Sequence, residues 1–210
     1  MFITFKRSLL TASTVSLLSV GNWLLASPSY AISLDFTNWD KIGDVDPITQ
    51  NQAQANSGTA LTAFTGGGME SLEEFLEIAP GSLDSLAPDS FFGATQGSAI
   101  KKTLLVQAGD KLNFNWQLNN TSDPLDKAFV TINGVINPLI LSGNYEYTFL
   151  SAGNFLVGIG IVDIDNGAGE SQLIVSNPIL EPVPEPLTLL GVFTGLGCGL
   201  IMQRRFGKKR

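Results

Sequence analysis

The chain predicts a mainly β fold, an antiparallel jelly-roll-like sandwich carrying one short helical insertion. Three observations carry that prediction. Seven or more short apolar stretches follow one another, with turn residues at intervals of about ten. Lys111 to Leu118 alternates cleanly, with Leu112, Phe114, Trp116 and Leu118 on one side and Asn113, Asn115 and Gln117 on the other. Helical spacing appears in the body only once, at Leu72, Phe75, Leu76 and Ile78.

The elements follow in order. Ile32 to Phe36 reads as a short edge strand with Leu34 and Phe36 on one face, followed by a polar turn region through Asp46-Pro47. Trp39, near a strand end, is expected in the core. Ile48 to Gly58 is rich in Gln and Asn and reads as a loop. Ala60 to Phe64 offers a short strand ended by Gly66-Gly67-Gly68. The helical insertion spans about residues 70–86: Ser71 is its N-cap, Glu73 and Glu74 fill the first turn, Pro80-Gly81 stops it, and Ser82 to Leu86 adds a second short turn. Strands follow at Ile100 to Gln107 and Lys111 to Leu118, joined by an Ala108-Gly109-Asp110 turn. Asn119 to Asp126 is a polar loop. Ala128 to Asn133 then turns through Asn133-Gly134, a strong two-residue hairpin signal, into Val135 to Leu141. Tyr145, Tyr147 and Phe149 alternate with Glu146 and Thr148. Phe155 to Ile164 is apolar on both faces, as a central strand would be, and its Gly158 and Gly160 imply close packing on one side. Gln172 to Val175 is the last strand. Strands near both ends of the body suit a jelly-roll, whose first and last strands often pair.

The flanks belong to export rather than to the fold. Lys6 and Arg7 precede an apolar stretch from Leu9 to Leu25, and Ser29-Tyr30-Ala31 places small residues where a signal peptidase reads. Cleavage is expected after Ala31, which makes residues 1–31 a signal peptide and residues 32–182 the sandwich domain. At the other end stand Val183, Pro184, Glu185 and Pro186, then a segment from Leu187 to Gln203 without a charged residue, then Arg204, Arg205, Lys208, Lys209 and Arg210. The apolar segment is at the short end of the ~17–25 residues that span a bilayer as a helix. The basic cluster behind it should stay cytoplasmic. This three-part order resembles the PEP-CTERM sorting signal of Gram-negative bacteria. The resemblance implies recognition and cleavage near the motif by a membrane-embedded exosortase, an inner-membrane-anchored precursor, and a destination in the cell envelope or extracellular matrix.

A second resemblance lies in the body. Gly97-Ser98-Ala99-Ile100-Lys101, the stretch from Gly109 to Trp116, Ala128-Phe129-Val130 and the stretch from Gly158 to Asp163 are similar to those of secreted PEP-CTERM proteins from cyanobacteria and related bacteria. The resemblance implies a sandwich like those of lectins or carbohydrate-binding domains, and an association with exopolysaccharide.

Composition removes whole classes of chemistry. The chain has no histidine, which excludes Ser-His-Asp and Cys-His arrangements and the usual histidine-containing catalytic zinc sites. Its one cysteine, Cys198, lies in the apolar tail segment, so the body has neither a disulfide nor a thiol nucleophile. Charge is unevenly distributed. The whole chain carries −7, but the body keeps only Lys41, Lys101, Lys102, Lys111 and Lys127 against 18 of the 19 acidic residues, a net charge near −13. Such a surface repels phosphate backbones, and no nucleic-acid partner is expected.

Two groups of residues could bind something. Asn113, Asn115 and Gln117 form a row of side-chain amides, which match both donor and acceptor of a sugar hydroxyl. The same row is also an ordinary solvated sheet face. Asp163 and Asp165, at the exit of the expected central strand, place two carboxylates on one side. Hard oxygen donors on a turn suit Ca2+, although Asp165-Asn166-Gly167 is also good turn chemistry in its own right. Asp123 and Asp126, in the loop after the amide strand, are similar candidates. Glu73, Glu74, Glu77 and Glu146 are available for a two-carboxylate glycoside hydrolase, although the helix glutamates fit a solvated face better. The expectation is therefore a non-enzymatic exported protein, contacting exopolysaccharide with calcium assistance. A secreted polysaccharide hydrolase and a structural surface or fibre subunit are the alternatives.

Overall fold

Alternation along the amide strand sets the architecture, because a strand with one apolar face must lay that face on something apolar. In the computed structural model, which describes residues 30–58, 60–61, 71–121, 123–165 and 169–183, two antiparallel sheets meet to meet that need. In chain order the strands are β1 (Ile32–Ser33), β2 (Asp40–Ile42), β3 (Val45–Ile48), β4 (Gln52–Asn56) and β5 (Ala60–Leu61). Helix α1 (Leu72–Phe75) and a 3-10 turn (Ser82–Leu86) follow. Then come β6 (Ala94–Val106), β7 (Lys111–Asn119), β8 (Lys127–Ile132), β9 (Val135–Leu139), β10 (Ser142–Thr148), β11 (Gly153–Ile164) and β12 (Gln172–Glu181). The first sheet runs β10-β7-β12-β4-β3, with β1 also on β12; the second runs β2-β6-β11-β8-β9, with β5 also on β6. The first and last described strands pair, Ile32 opposite Leu180.

Between the sheets, Leu112, Phe114 and Trp116 of β7 meet Val130 of β8, Ile159 of β11 and Val175 of β12, all buried. Trp39 is buried as expected, edge-to-face on Phe36 with ring centroids 5.2 Å apart. The helical insertion covers the opposite face of the second sheet. Leu72, Phe75, Leu76 and Leu83 pack there on Ala99, Phe129, Val162 and Ile164. This is why β11 is apolar on both faces: it lies in mid-sheet between β6 and β8 and is covered from both sides. Gly158 makes the cover possible, since a Cβ there would collide with Leu76 and with the Thr131 hydroxyl. At the β8–β9 hairpin, Asn133 and Gly134 have φ of 45° and 81°, the left-handed pair that a two-residue turn needs.

Four expectations change. The Ile48–Gly58 loop contains β4, in which Ala53 and Ala55 are buried while Gln52, Gln54 and Asn56 point away from the core. Alanine is a weak strand signal, so the alternation does not stand out by propensity. The Asp46-Pro47 turn lies within β3, an edge strand whose proline has no N–H to donate. The first strand ends at Ser33, and Phe36–Asn38 is a 3-10 turn capped by the Asp35 carboxylate, which accepts from Thr37 N at 2.9 Å. The strands β6 and β12 are longer than expected at their ends. Residues 62–70, including the triglycine, lie outside the described residues. So do most of the signal peptide, Pro184, Glu185, Pro186, the apolar segment and the terminal basic cluster. Among the described residues no helix is long and apolar enough to cross a membrane.

Candidate functional site

Strand alternation puts Asn113, Asn115 and Gln117 on the outer face of the first sheet, since their neighbours Leu112, Phe114 and Trp116 fill its inner face. Register then brings further amides onto the same face. Asn144 of β10 stands opposite Asn115, Gln172 of β12 opposite Asn119, and Ile174 of β12 lies between Gln117 and Gln54. Asn56 and Gln52 extend the face across β4. Local bonds hold part of it in place. Asn144 Nδ2 donates to Asn115 Oδ1 at 3.2 Å, and Gln172 Nε2 donates to Asn56 Oδ1 at 3.4 Å. At one end Lys111 and Glu146 pair at 2.8 Å, where the Glu146 carboxylate holds the Lys111 ammonium above its ordinary pKa; at the other Asn56 Nδ2 donates to Asp44 Oδ2 at 2.9 Å. No aromatic ring joins the face on these strands. Trp116 is buried, and Tyr145 stacks inward on Phe114 with centroids 4.9 Å apart, its hydroxyl pushed up to about 12 mainly by burial. The β7 amides are legible from β7 alone. Asn144 and the β4 and β12 amides belong to the face only through strand pairing.

The second feature is a buried meeting of carboxylates at the end of the sandwich where the 123–126 turn, the end of β11 and Ser171 converge. Asp123, Asp126 and Asp163 each offer an oxygen within 4.8 Å of the others, and all three are buried. Ser57 Oγ donates to Asp126 Oδ2 at 2.7 Å, Ile164 N to Asp126 Oδ1 at 3.3 Å, and Leu125 N to Asp123 Oδ1 at 3.1 Å. Gln96 Nε2 donates to Asp163 Oδ2 at 3.2 Å. Desolvation pushes Asp126 above the ordinary carboxylate range, with the Asp123 charge adding to the effect and the Ser57 and Ser171 hydroxyls opposing it. A proton on Asp126, or a cation among the three, would relieve the repulsion between carboxylates held this close. The three carboxylates offer hard oxygens of the type calcium takes, but they supply fewer than the 6–8 ligands calcium usually gathers.

Asp165 does not join them. Alternation alone would put it beside Asp163, but β11 ends at Ile164 after a register shift, and Asp165 turns into the left-handed region at φ 64°. Its Oδ1 instead accepts from Ser90 Oγ at 2.5 Å and Phe92 N at 2.6 Å, bonds that hold it below the usual carboxylate range. Asn166 and Gly167 lie outside the described residues.

The glutamates weighed for hydrolysis have other partners. Glu73 is not on a solvated face: it is buried, and its carboxylate accepts from Gly81 N at 2.7 Å and Leu83 N at 2.9 Å, closing the helical insertion on itself. Glu74 is exposed, Glu77 pairs with Lys101 at 3.6 Å, and Glu146 with Lys111. Of the residues expected to be read by processing enzymes, Ala31 and Val183 are described, both exposed.

No protein-family profile matches the chain, and no curated protein matches it. Among solved structures, the chain is similar to TmCBM61 in complex with β-1,4-galactotriose, at 10% identity and TM-score 0.36, covering 71% of this chain and 91% of that one. It is also similar to a family 35 carbohydrate-binding module from Clostridium thermocellum, at 11% identity and TM-score 0.35, covering 74% of this chain and all of that one. Likeness at this level extends to neither a ligand nor an activity.

Proposed function

We propose that this is an exported, non-catalytic envelope or matrix protein that contacts neutral exopolysaccharide through the outer face of its first sheet. The carrying observation is that face itself: side-chain amides from β4, β7, β10 and β12 on one open, paired surface. Each amide offers both a donor and an acceptor to a hydroxyl, so the face suits many weak bonds along a chain. The order of signal peptide, Pro184-Glu185-Pro186, apolar segment and basic tail supports delivery through a signal peptidase and an exosortase. A divalent cation on Asp123, Asp126 and Asp163 is the calcium part of the reading, holding the 123–126 turn to the end of β11. A shared proton is the competing reading of that cluster, favoured by the raised pKa of Asp126.

The test is retention of the full chain, in detergent, on the host's exopolysaccharide, first with calcium and then with a chelator. Retention is expected with calcium, weakened several-fold by Asn115→Ala with Gln117→Ala. No retention in either condition overturns the glycan reading. Retention unchanged by chelator removes calcium and leaves the sheet face.

A further inference from the structure

The end of the sandwich that carries the aspartate cluster also carries a cavity of about 350 Å3. Its walls come from the 86–90 segment, the 125–127 segment and the end of β11. Pro88, Leu125 and Ile164 contribute apolar lining, while Asp89, Lys127 and Asp165 bring acceptors and a donor. Next in the chain after the wall residue Ser90, though not themselves part of the wall, Phe91 and Phe92 are 87% and 68% exposed, edge-to-face on each other with centroids 4.8 Å apart. Two adjacent phenylalanines left in water are costly unless something covers them.

The phenylalanine segment is pinned rather than loose. Besides its bonds to Asp165, Gly93 N donates to Ser90 Oγ at 2.7 Å, Asp165 N to Gly93 O at 2.9 Å, and Ala94 N to Asp84 Oδ1 at 2.9 Å. A backbone held in advance loses little freedom on binding, which lowers the ordering cost for the aromatic side chains it carries.

We propose that this cavity, flanked by Phe91 and Phe92, is a binding site for a single neutral sugar unit. This deepens the glycan reading above and rests on it. The residues present select that chemistry. A sugar unit offers an apolar C–H face to phenyl rings and hydroxyls to a mixed set of donors and acceptors. Asp89 and Asp165, on a body of net charge near −13, disfavour an anionic unit. Val183 N donates to Asp110 Oδ1 at 3.0 Å in the β6–β7 turn, which lies at the opposite end of β7 from the 123–127 segment, roughly 25 Å away for a nine-residue strand.

The experiment is saturation-transfer NMR on the full chain in detergent, with cello-, manno-, xylo- and galacto-oligosaccharides and a tetragalacturonate control. Transfer to ring C–H protons of at least one neutral sugar is expected, with none to the uronate. Phe91→Ala with Phe92→Ala should weaken that binding at least tenfold, and Lys127→Met several-fold. Both phenylalanines are exposed, so the fold should be unchanged, which circular dichroism checks. Asn115→Ala with Gln117→Ala should leave oligosaccharide binding intact while reducing polysaccharide retention. No neutral sugar bound, or binding indifferent to the phenylalanine pair, overturns the cavity site. If retention on the polysaccharide persists in that case, the sheet-face reading stands alone; if retention also fails, both readings fall.

Discussion

Asp126 shows how one side chain can couple the fold to its solution conditions. Its carboxyl is buried against Ser57, Ile164 and the Asp123 charge, so its pKa in the folded protein lies above the ordinary 3.8. With a raised pKa the folded state holds the proton longer than the unfolded state does. The stabilisation is therefore complete below 3.8 and is lost as pH rises through the raised value. Asp126→Asn stays neutral and keeps an acceptor for Ser57. In chelator, stability measured by denaturant unfolding should fall with rising pH above 3.8 more steeply for the natural chain than for the variant. Calcium should restore the natural chain at neutral pH and leave the variant unchanged. Parallel pH profiles would remove Asp126 as the titrating group, and a calcium effect surviving in the variant would remove it as a ligand. Glu73 makes a related point: a first-turn glutamate reads as solvated, yet it folds back to cap the backbone of the following turn.

At the scale of elements, the helical insertion and β11 depend on each other. Leu76 and Thr131 occupy the space a side chain at position 158 would need, and Phe129 with Ser98 O does so at Gly160. A methyl group at 158 must displace both the Thr131 hydroxyl and the Leu76 side chain at the end of α1. Gly158→Ala is expected to cost about 1–3 kcal/mol, in the range of overpacked cores. Hydrogen exchange should show the loss first in residues 71–86, because they are the cover that shifts. Uniformly unchanged exchange would mean the insertion tolerates the displacement. The same logic explains β4. Ala53 and Ala55 are small because they face the intersheet core where β12 and β3 flank them, and their size hides the strand from a propensity reading.

For the whole molecule, surface chemistry is divided by face and by end. One sheet face is covered by the insertion, the other outer face is open and amide-rich, and the cavity end lies away from Val183. In the proposed reading, delivery is the task of segments outside this domain. Replacing Pro184, Glu185 and Pro186 with alanines should leave the protein uncleaved and membrane-bound in its host, read by intact mass. A variant released at the same mass as the natural product would refute the role of the motif.

Much of this was legible in the sequence, for a physical reason. Alternation along β7, the Asn133-Gly134 turn, the doubly apolar β11 and the Ser71 cap are local patterns, set by backbone geometry and solvent within a few residues. The absence of histidine and the acidity of the body are likewise properties of composition alone. What only tertiary structure decided depends on residues distant in sequence. Strand register joined Gln172, Asn144 and the β4 amides to the β7 row. Chain convergence brought Asp163 to Asp123 and Asp126, while the left-handed turn at Asp165 sent that carboxylate to the Phe91-Phe92 loop instead. Local sequence sets which way a side chain faces on its own strand; what it meets there is set by the pairing of strands far apart in the chain.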